Sequence, residues 1–520
     1  MNKVLKGLVA VAATAAMAVA GFAGASTAMA ADPTGGIQVA DGDTHTYSVY
    51  QILTGTYGAN GALGNVQAGT DFKVTNAAGD QGKDLTAAEA AEKLAKIGST
   101  ESDQTKLAEI LKFANLTTQY GSDLTASAPL TKVPAGYYLA KDKDDTVTGD
   151  DAQTLYIVKV VGNSAVTITR KVDKPTFQKK VKDVNDSTGD KSDWQDSADY
   201  DVNDKVPFQL TATLPTKEDD FAAYKTYKLV FTDNQSVGLT YPEATGFIVK
   251  YGETVVPTSQ YTLTLNPTTT TAGSTFTLTI NDVKSLKDAD GSDIAVAAGG
   301  KFTVEYESTL NDKAVIGSNG NPNEASLKFS NNPNYTGTGE DSPTGETPKD
   351  KVIVFTYQLN VNKTFDQGTP ADNDLPKFKL YKKTHGVSEN DGYVQVGPEI
   401  EVTKTSDNKY IASFPRIDDG DYKLVESHTP AGYNTAADTL FTVTAEHDVS
   451  SDNPALTSLK INQTDGDKTT GTVQADVVNK KGSNLPSTGG MGTVLLYVAG
   501  IAVFVLAGAT LVMALRRRNA

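Results

Sequence analysis

The chain has 520 residues, a formal net charge of −16 at pH 7 and no cysteine. So acidic a composition argues against nucleic acid as a partner, because the phosphate backbone selects basic surfaces. The lack of cysteine excludes disulfides, and 4 histidines scattered along the chain do not suggest a metal cluster. We therefore expect no cofactor, no metal and no enzymatic activity, and the length predicts about three domains.

The first residues have the pattern of an export signal. Two lysines precede an apolar stretch from Gly7 to Ala25, and Ala28-Met29-Ala30 has the small-x-small form that signal peptidase accepts. The sequence therefore predicts a signal peptide over residues 1–30 and export of the chain from Ala31 onwards.

Residues 31–172 mix helical and strand patterns. A helical pattern runs from Thr86 to Leu116, and Thr86-Ala87-Ala88-Glu89 opens it as a capping box. Strands are expected around Thr46–Leu53, Gly136–Ala140 and Leu155–Val161. These patterns predict an α+β N-terminal domain in which the apolar stripe of the helical region is core packing.

The following chain is dominated by short alternating runs such as Phe302–Tyr306, which are typical of half-buried strands in β-sandwiches. The pattern pauses near 171–175 and at 330–351, where turn formers predict a linker or a long surface loop. The fold class predicted for the whole chain is therefore mainly β, with tandem immunoglobulin-like β-sandwich domains over residues 173–345 and 346–484.

In the second domain, three polar side chains fall in phase with the apolar positions of predicted strands. They are Lys179 near the start, Asp233 in the middle and Asn331 near the end. Because strand side chains alternate between two faces, each is expected to point inward. The neighbours that could replace them are Lys180 and Lys182 for the lysine and Asn332 for the asparagine, although the parity favours the first three.

The third domain repeats this pattern with a glutamate. Lys363 is in phase with apolar positions of the first strand, Glu426 with those of a middle strand and Asn479 with those of the last. A buried polar group costs several kcal/mol unless it is paired, so three in one small sandwich predict that they interact.

Residues 485–520 have the pattern of an anchor. Leu485-Pro486-Ser487-Thr488-Gly489 is followed by an uncharged apolar run from Met491 to Leu515 and then by three arginines. The run is long enough to cross a bilayer as one helix, with the arginines on the cytoplasmic side. This order resembles the sorting signal of Gram-positive surface proteins, which sortase cuts between Thr488 and Gly489 to pass the threonine carbonyl to an amine. The alternative is an ordinary membrane anchor with an incidental turn.

A second resemblance lies in the third domain. Tyr422-Lys-Leu-Val-Glu426-Ser-His-Thr-Pro430-Ala-Gly432-Tyr433 is similar to the E-box, Y-x-L-x-E-x-x-x-P-x-G-Y, of sortase-assembled pilins with collagen-adhesin B-type domains. The resemblance implies that Lys363 and Asn479 condense into an isopeptide bond with the help of Glu426. An apolar core favours this reaction, because it lowers the lysine pKa and leaves the amine neutral and nucleophilic. The alternative is an inward ion pair without a bond.

The second domain resembles the fimbrial isopeptide-forming domain of the same pilins. The similarity lies in Phe231-Thr-Asp233, in the run from Tyr306 to Asn311 and in Phe329-Ser-Asn331-Asn332-Pro333. It implies that Asp233 assists a bond between Lys179 and Asn331, the alternative being solvated polar groups at strand ends. The first domain offers no comparable trio, so we expect no internal bond there.

The family resemblance also implies an acceptor amine at the end of the first domain, usually in a V-x-V-Y-P-K element. Val166-Thr-Ile168-Thr-Arg-Lys171 keeps the alternation and the lysine but lacks the Tyr-Pro pair. We therefore expect Lys171 to be the acceptor, with Lys174 and Lys179 as alternatives.

Over nearly its whole length the chain is thus similar to the major shaft subunit of a sortase-assembled pilus. The resemblance implies sortase, other copies of the chain, minor pilins and peptidoglycan as partners, with a host receptor as a further candidate. It also implies an extracellular, cell wall-anchored location. Two alternatives stay open: a monomeric adhesin or a tip or base subunit that binds a host ligand, and a wall-attached enzyme. The enzyme would need a pocket of titratable groups outside the two trios, and the sequence indicates none.

Overall fold

The computed structural model describes residues 35–57, 63–74, 84–97, 103–143, 146–169, 173–266 and 273–482. The predicted signal peptide, Lys171, and the sorting signal with Thr488 and Gly489 lie outside the described residues. Within those ranges, no helix is both long and apolar enough to span a membrane.

By compactness the chain divides into two units. The first unit comprises Met1–Gln358, Pro415–Gly420 and Val443–Val473, and the second comprises Leu359–Phe414, Asp421–Thr442 and Gln474–Ala520. This division does not follow the predicted boundaries between residues 172 and 173 and between residues 345 and 346, which stay predictions.

The N-terminal part of the first unit combines two small sheets with two helices. Its strands are β1 (Gly35–Val39), β2 (Tyr47–Tyr57), β3 (Leu63–Ala68), β4 (Leu130–Val133), β5 (Gly136–Asp142), β6 (Ile157–Val161) and β7 (Ala165–Ile168), and its helices are α1 (Ala87–Ala95) and α2 (Asp103–Leu111). One sheet has the order β4-β1-β7 and the other the order β3-β2-β5-β6. The prediction of an α+β domain is confirmed.

The predicted capping box opens α1. Thr86 Oγ1 accepts a hydrogen bond from the Glu89 backbone nitrogen, and the Glu89 carboxylate accepts one from the Thr86 backbone nitrogen at 2.8 Å. The apolar stripe of the two helices is core packing, since Leu94, Leu107 and Ile110 are buried in one cluster with residues of β2 and β5. Burial of each such side chain contributes about 1.5–3 kcal/mol.

The middle of the chain folds into a β-sandwich. Its strands are β8 (Thr176–Val181), β9 (Ser197–Asp199), β10 (Lys205–Thr213), β11 (Leu229–Gln235), β12 (Leu239–Thr240), β13 (Ile248–Tyr251), β14 (Thr254–Val255), β15 (Thr262–Asn266), β16 (Ser274–Ile280), β17 (Lys301–Leu310), β18 (Asn321–Ser330), β19 (Thr344–Glu346) and β20 (Asp350–Phe355), with a short helix, α3 (Glu218–Ala222). One sheet has the order β14-β13-β17-β10-β8, with β12 beside β17. The facing sheet has the order β15-β16-β11-β18-β20-β9, with β19 beside β18. Their inner faces share one apolar core.

The turn-rich interval at 330–351 is not an unpaired linker, contrary to the expectation from its composition. Thr344–Glu346 pairs with the end of β18, and Asp350–Phe355 pairs with the beginning of the same strand. Open backbone groups along β18 are thereby satisfied. Regular structure is interrupted at Thr356, so Asp350–Phe355 ends there and Lys363 lies on the following strand, which begins at Tyr357.

The rest of the described chain forms two more sheets. Its strands are β21 (Tyr357–Phe365), β22 (Lys377–Lys383), β23 (Tyr393–Glu401), β24 (Thr403–Lys404), β25 (Tyr410–Ile417), β26 (Gly420–His428), β27 (Thr439–His447), β28 (Leu456–Ile461), β29 (Thr464–Asp465) and β30 (Thr472–Asn479). The sheet orders are β24-β25-β21-β30 and β23-β22-β26-β27-β28-β29. The mainly β fold class, with tandem sandwiches after an α+β domain, is confirmed.

Candidate covalent cross-linking sites

Lys179 is buried in the core of the middle sandwich. In β8 it lies on the inward face together with Val181, and it pairs with Leu210 of β10. Its Nζ lies 5.2 Å from the ring centroid of Phe208. Burial lowers the pKa of Lys179, although the charge of Asp233 opposes the shift. The site therefore favours the neutral, nucleophilic amine.

Asp233 reaches Lys179 from the facing sheet, as the in-phase pattern predicts. Lys179 Nζ donates to Asp233 Oδ2, and neither side chain has exposed surface. The other carboxylate oxygen, Oδ1, accepts a hydrogen bond from the Tyr241 hydroxyl at 2.7 Å. The amine and the Tyr241 hydroxyl therefore hold opposite oxygens of the carboxylate.

The asparagine of this cluster is Asn323. It lies on β18 opposite Gln235, two residues from the position opposite Asp233, and has no exposed surface. Its Nδ2 donates to the Tyr306 hydroxyl at 2.9 Å, and that hydroxyl in turn lies 3.0 Å from Lys179 Nζ. Asn323 Oδ1 has no hydrogen-bond partner among the described residues.

The structure does not bring Asn331 into the cluster, which corrects the sequence assignment. Asn331 follows the last residue of β18 and is only partly buried. Its side-chain amide donates to the Pro343 backbone oxygen and accepts from the Gly345 backbone nitrogen, both at 3.2 Å. The alternative Asn332 bonds the Asn334 backbone nitrogen in a turn at 2.9 Å. Both asparagines thus belong to the chain reversal after β18.

The alternatives to Lys179 also lie elsewhere. Lys180 pairs with Asp196, and Lys182 Nζ lies 4.8 Å from the ring centroid of Trp194. The parity argument therefore favoured the lysine that lies beside Asp233. The same argument missed Asn323, although that residue is in phase with Ala325 and Leu327. The reason is Pro322, which is typical of a turn and therefore made the strand seem to start later than it does.

The second cluster lies in the second unit and contains the three predicted residues. Lys363 of β21, Glu426 of β26 and Asn479 of β30 are all buried. Lys363 Nζ lies 3.7 Å from Glu426 Oε1 and 3.5 Å from the Val477 backbone oxygen. Asn479 Nδ2 donates to Glu426 Oε2 and to the Asn434 backbone oxygen, each at 2.8 Å. One carboxylate therefore faces both the amine and the amide.

The surroundings of Lys363 favour a neutral amine. Burial lowers the pKa of Lys363 to about 8, even though Glu426 opposes the shift. The Nζ atom lies 5.4 Å from the ring centroid of Phe365 and 6.0 Å from that of Phe378. Because a lysine amine attacks carbonyl carbon only when it is deprotonated, the lowered pKa gives Lys363 a larger nucleophilic fraction near neutral pH than an ordinary lysine has.

The alternatives for the intermolecular acceptor are now distinguishable. Lys179 is buried and engaged with Asp233, so it offers no amine to another subunit. Lys174 is half-exposed and forms an ion pair with Asp150 at 2.5 Å. Lys171 itself lies outside the described residues, two positions after Thr169.

Two groups of side chains in the first unit have the spacing of cation ligands. Within each group, one possible ligand atom of every residue lies within 4.8 Å of those of the other residues. The first group consists of Asp183, Asp199 and His447, and the second consists of Asp186, Asp201, Asp204 and Asp418. In the first group His447 Nε2 lies 3.6 Å from Asp183 and 3.8 Å from Asp199, as an ion pair would. The sequence predicted no metal site, and this spacing alone does not assign one.

Two protein families match the chain. Residues 202–333 match the model of the Gram-positive pilin backbone subunit 2, Cna-B-like domain. Residues 360–454 match the SpaA prealbumin-like fold domain. These two regions of the chain are therefore similar to domains of Gram-positive pilins. In the middle cluster, which consists of Lys179, Asp233 and Asn323, the last two residues lie within the backbone-pilin match. Lys363 and Glu426 lie within the prealbumin-like match.

A curated protein and two solved structures are also similar to the chain. The trypsin-resistant surface T6 protein of Streptococcus pyogenes serotype M6 is 27% identical over 276 residues, which cover 42% of this chain and 48% of that protein. The chain therefore matches about half the length of this curated relative. The solved T6 backbone pilin superposes with a TM-score of 0.52 at 16% identity, covering 87% of this chain and 99% of that one, which shows a shared fold. The major pilin SpaA of Corynebacterium diphtheriae gives a TM-score of 0.46 at 13% identity, covering 86% and 99%.

Proposed function

We propose that the chain is a structural shaft subunit of a covalent surface pilus, stabilised by internal Lys–Asn isopeptide bonds and anchored to the wall of a Gram-positive bacterium. The observation that carries this proposal is the pair of buried lysine–carboxylate–asparagine clusters in domains that match pilin families. Three polar groups buried together are costly, and condensation of the amine with the amide leaves fewer buried polar groups to be paired. The work of such a chain is mechanical, because the reaction occurs once and nothing turns over.

In each cluster the neutral lysine Nζ attacks Cγ of the asparagine. A C–N amide bond forms, the Cγ–Nδ2 bond breaks, and Nδ2 leaves as ammonia after taking up the proton that Nζ loses. The carboxyl groups of Asp233 and Glu426 orient the reactants and assist this proton transfer. The proposed bonds join Lys363 to Asn479 and Lys179 to Asn323, the latter in place of Asn331.

The two proposed bonds would connect different parts of the sandwiches. Lys179 and Asn323 lie on facing sheets of the middle sandwich, so their bond would cross the core. Lys363 and Asn479 lie on β21 and β30, which are neighbours in one sheet. A covalent bond between elements far apart in sequence carries tension past the hydrogen-bonded sheet, which suits a shaft under load.

Polymerisation would join the sorting signal of one copy to a lysine of another copy. Sortase would cleave between Thr488 and Gly489 and transfer the Thr488 carbonyl to Lys171 of another copy. The order of LPSTG, apolar run and arginines supports this step, as does the burial of Lys179, which leaves Lys171 and Lys174 as candidate acceptors. A final transfer to peptidoglycan, and minor pilins at tip or base, would complete the assembly.

The mass of the full chain tests the internal bonds. Two isopeptide bonds lower the intact mass by two ammonia molecules relative to the sequence, and tryptic digestion yields two branched peptides joined through Lys179 and Lys363. A folded chain with the mass of the sequence and only linear peptides would refute both bonds.

A further inference from the structure

Tyr306 of β17 places its hydroxyl at the centre of the middle cluster. The hydroxyl donates to Asp233 Oδ2 at 2.9 Å and accepts from Asn323 Nδ2 at 2.9 Å. Lys179 Nζ donates to it at 3.0 Å. One oxygen atom therefore contacts the nucleophilic nitrogen, the nitrogen of the leaving group and the carboxylate.

The ring of Tyr306 is held by its aromatic neighbours. It lies opposite Phe208 in the register of β10 and β17, with ring centroids 5.4 Å apart. The ring of Phe247 stacks at 5.2 Å, and that of Phe276 meets it edge-on at 5.3 Å. Tyr306 is 3% exposed, so the hydroxyl is fixed in a site from which bulk water is excluded.

The two clusters use their carboxylates differently. In the second unit, Glu426 Oε2 accepts directly from Asn479 Nδ2 at 2.8 Å. In the middle cluster, the described residues show no hydrogen bond between Asp233 and Asn323, because Tyr241 engages Oδ1 while Lys179 and Tyr306 engage Oδ2. The hydrogen-bonded connection from carboxylate to amide therefore runs through the Tyr306 hydroxyl.

We propose that Tyr306 is a catalytic residue that relays the proton during formation of the Lys179–Asn323 bond. This inference rests on the proposed function, since it presupposes that the bond forms. As Nζ attacks Cγ, the lone pair of Nδ2 becomes free in the tetrahedral intermediate. The Tyr306 hydroxyl then turns its proton from Asp233 Oδ2 to Nδ2 and passes it on, while the Tyr306 oxygen takes the proton that Nζ loses. The new amide bond forms, Nδ2 leaves as ammonia, and the hydroxyl is regenerated, so atoms and protons balance without another reactant.

The electrostatics of the site fit a relay that begins from the neutral phenol. Burial raises the pKa of Tyr306 well above its usual range, and the charge of Asp233 adds to the shift. The hydroxyl therefore stays protonated until its proton is transferred to the leaving nitrogen. Because Asp233 holds the hydroxyl at 2.9 Å, the phenol is oriented before the reaction starts.

The test follows bond formation in time for the full chain made in a cell-free system, using intact mass and the branched peptide through Lys179. Tyr306→Phe keeps the ring and removes the hydroxyl, and we expect it to slow this bond by about 10²- to 10⁴-fold, the usual contribution of a positioned proton-transfer group. The Lys363–Asn479 bond serves as the internal standard and should form at the wild-type rate. The matched control is Tyr241→Phe, which also loses a hydroxyl on Asp233 but contacts neither nitrogen, and its effect should stay below about tenfold.

The outcomes separate the relay from the proposed function. A wild-type chain that never forms the Lys179 branch would refute the proposed bond itself. Formation of the branch in Tyr306→Phe at the wild-type rate would overturn the relay while leaving the bond intact. Site-specific fluorotyrosine at position 306 covers a variant that fails to fold, since it keeps the ring and hydroxyl but acidifies the phenol. A relay changes the rate of bond formation at constant pH in that protein, because the phenol both gives and takes a proton, whereas an unchanged rate would contradict it.

Discussion

Asn479 donates its side-chain Nδ2 to Glu426 Oε2 at 2.8 Å, and both side chains are buried in the second unit. The other oxygen of the same carboxylate lies 3.7 Å from Lys363 Nζ. Glu426 therefore stands between the amine and the amide that we propose to condense, and this arrangement leads to the first two predictions.

Replacement of Glu426 by alanine should prevent the Lys363–Asn479 bond. Without the carboxylate, nothing orients the Asn479 amide or assists proton transfer between the two nitrogens, a contribution of about 10²–10⁴-fold in rate. The intact mass should rise by one ammonia molecule after the mass difference of the substitution is subtracted. Glu399→Ala, which removes an exposed carboxylate from β23, should leave the mass deficit unchanged. Retention of the full deficit in Glu426→Ala would remove Glu426 from the mechanism.

Loss of the same bond should lower stability. Asn479→Ala removes the electrophile but leaves the Lys363–Glu426 ion pair in place. By analogy with disulfides, the chain-entropy model assigns about 4.7 kcal/mol to a cross-link that closes a loop of about 100 residues. We expect a clearly lower unfolding midpoint in guanidinium chloride for Asn479→Ala. Gln474→Ala, at an exposed position of the same strand, should unfold like the wild type, and equal midpoints for all three proteins would mean that no cross-link stabilises the native state.

The two asparagines of the middle sandwich should behave differently. Asn323→Ala should abolish the branched peptide through Lys179, because Asn323 is the asparagine whose amide lies in the cluster. Asn331→Ala should retain it, because that side chain bonds Pro343 and Gly345. Peptide mapping of both variants decides the assignment. The opposite pattern would restore Asn331 as the partner of Lys179.

His447 should contribute stability that depends on pH. Burial opposes its protonation, but the carboxylates of Asp183 and Asp199 outweigh burial and raise the pKa of His447 from its ordinary 6.5 to about 10. Its Nδ1 faces Ser197 Oγ at 2.7 Å, and Ser197 Oγ donates to the Asp448 oxygen at 2.6 Å. The ring nitrogen is therefore the donor in that contact, which leaves Nε2 facing the two carboxylates.

The sign of this effect follows from the direction of the shift. A raised pKa stabilises the folded state fully below about pH 6.5, and the contribution is lost as the pH rises through about 10. His447→Gln should therefore lower the melting temperature by several degrees at pH 6, and the difference from the wild type should shrink above pH 10. His428→Gln is the control, since that histidine is half-exposed beside Asp374. A difference that does not change with pH would contradict a charged His447.

Polymerisation should depend on Lys171. In cells that express the matching class of sortase, the wild type should give a ladder of covalent high-molecular-weight species. Lys171→Arg keeps the charge but removes the acceptor amine, so the ladder should disappear. Lys174→Arg should leave it unchanged, because we assign no acceptor role to the half-exposed partner of Asp150. If the ladder survives in Lys171→Arg and disappears in Lys174→Arg, the acceptor is Lys174. If it survives in both variants, a different acceptor or a monomeric adhesin is favoured.

Much of the candidate chemistry was predictable from periodicity. Lys179, Asp233, Lys363, Glu426 and Asn479 were identified because a residue in phase with buried positions of a strand must point inward, whatever its polarity. The capping box at Thr86 was predictable for a similar reason, since it depends on residues three positions apart. Such features are local, and the sequence alone therefore determined the mainly β class, the α+β start and most of the polar residues of the two buried clusters.

Only the tertiary structure decided which of these groups meet. Asn323 joins the middle cluster because β18 begins at Asn321 and lies antiparallel to β11, and this register depends on pairing with distant strands. Tyr306 reaches Lys179 because β17 and β8 flank β10, and His447 meets Asp183 although more than two hundred positions separate them in the chain. Alternation along a strand specifies which face of the sheet a side chain occupies. Its partners depend on the order of the strands and the packing of the sheets, which are set by contacts between segments remote in sequence.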